Sequence, residues 1–306
     1  MISREGRAKR REFLQQSLAG AALAGFAIVP RHVLGGEGHR PPSEKLNIAG
    51  LGVGNRGWTV SRQREAHNIV AICDVDANYL GKASERYPNA RKYNDFRKLI
   101  DWEENNLDAV AVCSTDHTHA PASMATLRAG KHVFCEKPLT HSVFEARTIA
   151  EAVRGTNLAT QMGNEAHSGP NYRRVVELVR SGAIGEVREV HCWCDQAWGN
   201  FDRPPHSPPV PPNLHWDLWL GPAPYRPYHP IYHPASWRSW WDYGNGRRGD
   251  MGCHMLDLPF WALDLKYPLT VEAEGPPVKP ESSPLWLICH WEFPARGDLP
   301  PVQLSW

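Results

Sequence analysis

The sequence has no long hydrophobic run, no strong net charge and no regular cysteine pattern. The apolar stretch near its start, Leu18 to Val29, is shorter than the roughly 20 residues that a membrane-spanning helix needs, so no stable span is expected. The 34 basic and 33 acidic side chains nearly cancel, which argues against a nucleic-acid partner. The seven cysteines are an odd number, and Cys73, Cys113 and Cys135 each end an apolar run, which favours buried thiols over a disulfide scaffold. What is left is an ordinary globular protein of 306 residues, long enough for about two domains.

The first residues have the order of charge and hydrophobicity that is typical of an export signal. Five cations lie among the first eleven residues, and Arg10-Arg11 precedes Phe13-Leu14 and the weakly apolar run. This order predicts a twin-arginine signal peptide and linker over residues 1–43, with the twin-arginine export machinery as a partner and a periplasmic or exported location. The alternative is a basic, disordered N-terminal tail.

After this leader, short apolar runs alternate with amphipathic stretches. The runs are Leu46 to Leu51, Ile69 to Cys73, Ala109 to Cys113 and Val133 to Cys135. Two of the intervening stretches have helical spacing, namely Ala120 to Ala129 and Val143 to Val153. Continuous apolar strands separated by helices predict a parallel sheet that is covered on both faces.

A glycine-rich segment, Gly52-Val53-Gly54-Asn55-Arg56-Gly57, follows the first run directly. Gly52 permits a tight turn, Gly54 lets the backbone approach a pyrophosphate, and Gly57 allows close helix packing. The segment therefore predicts a dinucleotide site at the end of the first strand.

Acidic residues follow the second run. Asp74 ends that run about 20 residues after the glycines, where a carboxylate can bind ribose hydroxyls. Asp74 and Asp76 together would repel a 2′-phosphate, and no cation follows before Lys82. NAD is therefore favoured over NADP as the cofactor.

Further motifs carry a family resemblance. The segment Cys113 to His119 follows one strand, Glu136-Lys137-Pro138 follows the next, and Gln161 to Asn164 and Gly249 to His254 come later. With the glycine segment, they resemble the glucose-fructose oxidoreductase, inositol dehydrogenase and MocA family of dehydrogenases. The resemblance extends over nearly the whole chain after the leader.

The family resemblance implies an α/β fold with two domains. A Rossmann domain with a doubly wound parallel sheet is expected over residues 44–163, and an α+β open-sheet domain over residues 164–306. The second domain would form the substrate cleft and a homo-oligomer interface. The implied reaction is hydride transfer between a secondary hydroxyl of a sugar or cyclitol and NAD.

The resemblance also implies roles for single residues. Lys137 would lie beside the nicotinamide and hydrogen-bond the substrate hydroxyl, His254 would accept the proton, and Asp250 would orient the substrate or the imidazole. Further cofactor contacts are implied for Asn55, Arg56, Ser114, Thr115, His119, Glu136 and Asn164. The chemistry agrees, because a carbinol carbon releases hydride only as its hydroxyl proton leaves, which requires a base and a cation.

From Asn164 onward the chain contains many aromatic residues. A helix is expected over Tyr172 to Ser181, and strands over Val187 to Cys194, Leu285 to Phe293 and Val302 to Trp306. Pro259 predicts an interrupted helix just after His254, because proline removes a donor and clashes with the preceding turn. Relative to the family, the chain ends early, within a strand, so the second domain is expected to be incomplete.

Five of the 13 tryptophans lie close together in the sequence: Trp216, Trp219, Trp237, Trp240 and Trp241. Most such residues belong to a core or a subunit contact, but as a group they favour a substrate with apolar ring faces. Trp237-Arg238 and His167 are therefore the predicted substrate contacts.

Three alternatives remain open at this point. His254, Asp250 and His167 could gather round zinc, although none of them belongs to a His-x-x-x-His or Cys-x-x-Cys motif. A glycosidase that oxidises its sugar transiently with tightly held NAD shares the fold and cofactor. A non-catalytic NAD-binding module is the third alternative.

Overall fold

A six-stranded parallel sheet forms the first half of the protein. The computed structural model describes residues 41, 44–57, 60, 66–234 and 236–306, so the predicted leader falls almost wholly outside the described residues. In chain order the elements are β1 (Asn47–Leu51), β2 (Asn68–Cys73), α1 (Ala77–Arg86), β3 (Arg91–Tyr93), α2 (Phe96–Glu103), β4 (Ala109–Val112), α3 (Asp116–Arg128), β5 (His132–Glu136), α4 (Val143–Val153) and β6 (Thr160–Gly163). The strand order is β3-β2-β1-β4-β5-β6, with every neighbouring pair parallel. This doubly wound arrangement confirms the predicted Rossmann fold.

The sheet is covered on both faces because its central strands are apolar on both sides. In β1, Ala49 and Leu51 pack into one core, while Ile48 packs into the core on the opposite face.

Side-chain caps fix the starts of three helices. Asp76 and Asp95 accept hydrogen bonds at the starts of α1 and α2, and Ser142 forms a capping box with Glu145 at the start of α4.

Helix α3 begins earlier than predicted. The expected start was Ala120, but the helix begins at Asp116 and includes Pro121. The first turn is closed by Thr118 N–H, which donates to Thr115 O at 2.9 Å, ahead of the proline. The earlier start places Asp116 and His119 on a helical turn at the carboxyl end of the sheet.

The second half contains a smaller mixed sheet. Its elements are α5 (Pro170–Arg180), β7 (Glu189–His191), α6 (Trp216–Leu220), α7 (Gly246–Met255), α8 (Asp257–Leu263), β8 (Thr270–Glu274), β9 (Ile288–Phe293) and β10 (Val302–Ser305). The order is β7-β10-β9-β8, with β7 parallel to β10 and the other pairs antiparallel. Alternate residues of β9 are buried, so one face of the sheet packs on a core and the other is exposed.

Two predictions for this half need correction. Strand β7 covers three residues instead of Val187 to Cys194, because β10 pairs only with Glu189–His191. Strand β8 was not predicted, since every residue of Thr270–Glu274 is exposed and it has no buried apolar run. The break just after His254 is confirmed, since α7 ends at Met255 and α8 begins at Asp257. Pro259 does not interrupt α8, because it lies in the first turn, where proline is tolerated.

An aromatic core lies, in sequence, between strand β7 and the other three strands of this sheet. Its buried members are Leu214, Trp216, Trp219, Leu220, Tyr232, Trp237, Trp240 and Tyr243. Trp216 stacks on Trp219 with ring centroids 4.6 Å apart, and Trp240 is fully buried.

Among the described residues, none of the helices has both the length and the apolar character to cross a bilayer.

Candidate active site

The glycine segment forms a tight loop at the carboxyl end of β1. Gly52 has a φ of 76°, and its N–H donates to Cys73 O at 2.8 Å. A Cβ on Gly52 would lie 2.7 Å from Cys113 O and from Ser114 N. Only glycine therefore allows the loop to approach the end of β4 this closely.

Asp74 supports the same loop from β2. It is 7% exposed, its Oδ2 accepts from Gly54 N at 3.1 Å, and its Oδ1 accepts from Asp76 N at 3.0 Å. Burial raises the pKa of Asp74 to about 6, although both backbone hydrogen bonds lower it. Asp74 thus holds the glycine loop in addition to facing the cavity described next.

A cavity of about 590 Å³ opens at the carboxyl ends of β1, β2 and β4. It is lined by six residues that were predicted to bind the cofactor: Gly52, Gly54, Asn55, Asp74, Ser114 and Thr115. The side chain of Arg56 lies outside the described part of the chain. The position of the cavity, at the strand ends beside the glycine loop, is where doubly wound sheets bind dinucleotides.

Other cavity residues lie outside the motifs that predicted the cofactor site. They include Tyr79, Asn94, Arg97, Trp219 and His233. Arg97 binds Asp95 through Nε and Nη2 at 2.7 to 3.2 Å and lies at the same cavity as Asp74. The prediction of NAD over NADP relied partly on the absence of a nearby cation, and Arg97 weakens that part; the repulsion of a 2′-phosphate expected from Asp74 and Asp76 is unaffected.

Lys137 binds Asp250 across the two halves of the protein. Its Nζ donates to Asp250 Oδ1 at 2.5 Å and to Asp250 O at 2.7 Å. The two side chains are only 7% and 11% exposed. The structure thus brings together the predicted reactive lysine, from the end of β5, and the predicted acidic residue, from α7.

Two arginines join this ion pair. Arg247 Nη1 lies 2.8 Å from Asp250 Oδ2, and Arg238 Nε lies 3.3 Å from Asp250 Oδ1. Burial alone would raise the pKa of Asp250, but the charges of Lys137, Arg238 and Arg247 lower it below its ordinary value. Asp250 is therefore an ionised anchor for Lys137 and not a proton acceptor.

His254 and His167 each contact residues other than Lys137 and Asp250. His254 lies one turn after Asp250 on α7, and its carbonyl accepts from Tyr172 OH at 2.8 Å. His167 Nδ1 lies 2.9 Å from Asp257 Oδ2, and its ring stacks on Trp261 at 4.2 Å. No group of three possible metal ligands occurs among the described residues, so His167, Asp250 and His254 do not form the metal cluster considered above.

Glu136 and Asn164 lie at the ends of adjacent strands. Glu136 pairs in register with Gly163, so Lys137 and Asn164 each follow a paired residue. A Cβ on Gly163 would lie 3.0 Å from Glu136 Cδ. Asn164 is 7% exposed, and its Oδ1 is buried without a hydrogen-bond partner in the part of the chain that the structure describes. The buried acceptor of Asn164, which has no partner among the described residues, and the glycine loop at Gly52 both fit a bound dinucleotide.

His119 lies away from the cavity, and most of the five tryptophans belong to a core. His119 is 1% exposed, lies outside the cavity lining, and faces two backbone carbonyls, so it acts on the site through the backbone. Trp237 lines the cavity but is 5% exposed, and Arg238 lies over its ring at 4.2 Å. The buried tryptophans form a core first, and their number alone does not indicate a sugar site.

Two sequence profiles of one family match the chain. The profile for the NAD-binding Rossmann fold of the Gfo/Idh/MocA oxidoreductase family matches residues 45–164, and the profile for its C-terminal alpha/beta domain matches residues 188–294. The chain belongs to this oxidoreductase family. The matches confirm the resemblance inferred from the motifs at Gly52, Lys137 and Asp250.

Relatives with assigned activities match less than half of this chain. The myo-inositol 2-dehydrogenase of Thermotoga maritima is 33% identical over 118 residues, which is 39% of this chain and 35% of the relative. Inositol 2-dehydrogenase 2 of Saccharopolyspora erythraea is 33% identical over 151 residues, 48% of this chain and 44% of the relative. The matched stretch thus spans less than half the length of either relative.

Solved structures share the fold over more of the chain. GenD2 from gentamicin A biosynthesis, in complex with NAD, has a TM-score of 0.63 at 21% identity and covers 91% of this chain and 68% of that one. The WlbA dehydrogenase from Bordetella pertussis, in complex with NADH and UDP-GlcNAcA, has a TM-score of 0.63 at 16% identity, covering 85% and 71%. At these identities the likeness shows the fold alone.

Proposed function

We propose that this protein is an NAD-dependent oxidoreductase that oxidises a secondary hydroxyl of a sugar or cyclitol, or reduces the corresponding ketone. The observation that carries the proposal is the buried Lys137–Asp250 pair. Lys137 follows β5 at the carboxyl edge of the sheet, the same edge as the glycine-loop cavity, although neither residue of the pair lines that cavity. The inositol dehydrogenases among the relatives support a polyhydroxylated substrate. The relatives named above give no support to a redox-neutral glycosidase.

The chain's own residues define the cofactor position. Gly52, Gly54 and Asn55 would hold the pyrophosphate end, Asp74 the ribose, and Ser114 and Thr115 the end towards Lys137. When bound there, NAD supplies the hydride acceptor for the oxidation. Asn164 Oδ1 offers an acceptor for a donor on the cofactor or substrate.

Lys137 can stabilise negative charge on a substrate oxygen. Its ammonium has three hydrogens, and Asp250 Oδ1 and O accept two of them, which leaves one for a ligand. Because Asp250 is ionised and buried beside it, Lys137 stays positioned before substrate arrives. His254, one turn further along α7, is the residue we assign as proton acceptor, following the family resemblance.

The test is a substrate screen on the protein as purified. Denaturation releases any bound nucleotide for identification, and a panel of sugars and cyclitols is then assayed for both ketone and free-sugar products. We expect ketone formation with stoichiometric cofactor reduction. Free sugar without net cofactor reduction would instead indicate the glycosidase, and the absence of either product with bound NAD would indicate a non-catalytic module.

The predicted leader adds a proposal about cofactor retention. Free NAD is not expected outside the cytoplasm, so an enzyme exported through Arg10-Arg11 must fold round its cofactor first and carry it along. We therefore expect nearly one NAD per chain when the full-length protein is purified without added nucleotide. A protein that is purified empty and binds NAD only weakly would contradict export with retained cofactor.

A further inference from the structure

Part of the cofactor cavity is lined by the second half of the chain. Besides the glycine loop and Asp74, the lining includes several residues of the segment 213–234, which we call the wall segment. Trp219, Pro222 and His233 are among them. A nucleotide in the cavity would therefore contact both halves of the chain, so the position of the wall segment affects how firmly the nucleotide is held.

The wall segment begins with a short antiparallel pairing to the loop that follows β2. Ala77 N–H donates to Asn213 O at 2.8 Å, and His215 N–H donates to Val75 O at 3.0 Å. An isolated antiparallel bridge lies between these two hydrogen bonds. The loop that begins with Asp74 thus holds the start of the wall segment through its backbone.

The side chain of Asp76 makes a second connection to the wall segment. Its Oδ1 accepts from Asn213 Nδ2 at 2.9 Å and, as the cap of α1, from Asn78 N at 2.8 Å. Its Oδ2 lies 3.1 Å from His233 Nε2. Burial raises the pKa of Asp76, but the hydrogen bonds from these three partners lower it below its ordinary value. One ionised carboxylate therefore binds the wall segment near both of its ends.

His233 extends this connection to the glycine loop. Its ring lies edge-on to Tyr79 and to Trp219, with centroids 6.0 Å apart in each pair. A Cβ on Gly54 would lie 2.8 Å from the Tyr79 ring, so the glycine loop approaches that ring closely. Gly54, Tyr79, Trp219 and His233 all line the cavity. His233 therefore connects Asp76, the aromatic core and the glycine loop.

We propose that Asp76 is a positioning residue for the cofactor, which holds the wall segment at the cavity through Asn213 and His233 and thereby slows the release of NAD. Asp76 is 7% exposed and does not line the cavity, so it acts through its two partners. Both bonds go to an ionised acceptor, which makes them stronger than bonds between neutral groups. The inference rests on the proposed function only in that the cavity binds NAD, and it requires no particular substrate.

The first test compares the rate of NADH release from the unaltered protein and from Asn213→Ala. Asn213 does not line the cavity, so the substitution removes a hydrogen bond to Asp76 and no contact with the nucleotide. Protein loaded with NADH is mixed with excess NAD, and the loss of NADH fluorescence gives the release rate. We expect release to be about tenfold faster in Asn213→Ala, because a bond to a charged acceptor is lost.

Asn68→Ala is the matched control. Asn68 is the first residue of β2, at the opposite edge of the sheet, and its Nδ2 donates to Asn47 Oδ1 at 3.0 Å. The control therefore also loses one hydrogen bond of an asparagine side chain, but away from the cavity. We expect Asn68→Ala to release NADH at the rate of the unaltered protein.

Two substitutions of His233 separate its hydrogen bond from its bulk. The amide group of a glutamine can donate in place of Nε2, whereas leucine has a similar size but no donor. We expect release to be about tenfold faster in His233→Leu and within about threefold of the unaltered rate in His233→Gln. Because both variants lose the ring, a difference between them reports on the bond to Asp76 and not on lost ring contacts.

The outcomes separate this inference from the proposed function. An unaltered protein that binds no NADH would overturn both. If the unaltered protein binds NADH, an unchanged release rate in Asn213→Ala, or equal rates in the two His233 variants, would overturn the positioning role of Asp76 alone. Release that is equally fast in Asn213→Ala and Asn68→Ala would also overturn it, because the effect would then not depend on the wall segment.

Discussion

Removal of the Asp250 charge should destabilise the protein far more than removal of a surface carboxylate. In Asp250→Asn, the Lys137 ammonium and the Arg247 guanidinium, 7% and 11% exposed, would lose their counter-charge. Breaking a buried pair by removing one partner costs about 3–5 kcal/mol. Because the asparagine oxygen can still accept from Lys137, we expect the lower end, about 3 kcal/mol of the free energy of unfolding.

The assay is urea unfolding followed by tryptophan fluorescence, with Glu177→Gln as the matched control. Glu177 pairs with Arg174 on the exposed face of α5, both side chains being about two-thirds exposed, so its loss should cost less than about 1 kcal/mol. The same loss in both variants would refute the claim that Asp250 is the buried counter-charge of the site.

The pH dependence gives a second check on Asp250. Its pKa in the folded protein is lowered below 3.8, so its ionised form contributes stability above that pH, and the contribution is lost as the pH falls through the lower folded value. The difference in unfolding free energy between the unaltered protein and Asp250→Asn should therefore be constant near neutral pH and shrink in acid below 3.8. A difference that grows on acidification would contradict the assignment.

Three further predictions follow from the site. Lys137→Met should reduce turnover by about 100-fold, because it removes the cation beside the substrate oxygen. Lys82→Met, at an exposed position of α1, should leave turnover unchanged. Equal turnover in the two variants would show that Lys137 takes no part in the reaction. Asp74→Ala should weaken NAD binding by about 1–3 kcal/mol in calorimetry, and unchanged affinity would show that Asp74 does not support the cofactor site. Burial raises the pKa of the Cys135 thiol to about 12 and also raises the pKa of the Cys73 thiol. Iodoacetamide should therefore label neither cysteine in the native protein and both after unfolding. Label found by mass spectrometry at either cysteine of the native protein would contradict their burial.

The sequence predicted those parts of the fold whose signals are local. Helix α4 begins and ends where its spacing indicates, because Ser142 and Glu145 form a complete capping box. The start of α3 was predicted too late, because the helical spacing was read only from Ala120, whereas the helix begins at Asp116 and includes Pro121. Strand β8 has no buried face, so hydrophobic alternation could not reveal it.

Residues of the candidate site could be predicted from the sequence where they belong to a recognisable motif. Lys137 and Asp250 were expected at one site, and the structure joins them at 2.5 Å. Arg247 was missed, although its spacing of three residues from Asp250 on a helix could have indicated the ion pair. Arg97 and Trp219 reach the cavity only through the tertiary fold, so no local pattern could have identified them.

The central claim is that the glycine loop and cavity bind a nicotinamide dinucleotide. The most direct test is calorimetric titration of NAD into three proteins: the unaltered protein, Gly52→Ala and Gly130→Ala. Both glycines have a positive φ, 76° and 70°, so both substitutions impose similar backbone strain. A Cβ on Gly52 would meet Ser114 N at 2.7 Å, whereas a Cβ on Gly130 meets nothing within 4 Å. We predict that Gly52→Ala weakens NAD binding by at least about tenfold, or ~1.4 kcal/mol, and that Gly130→Ala leaves the affinity unchanged. No NAD binding by the unaltered protein, or equal affinity in all three proteins, would contradict the account.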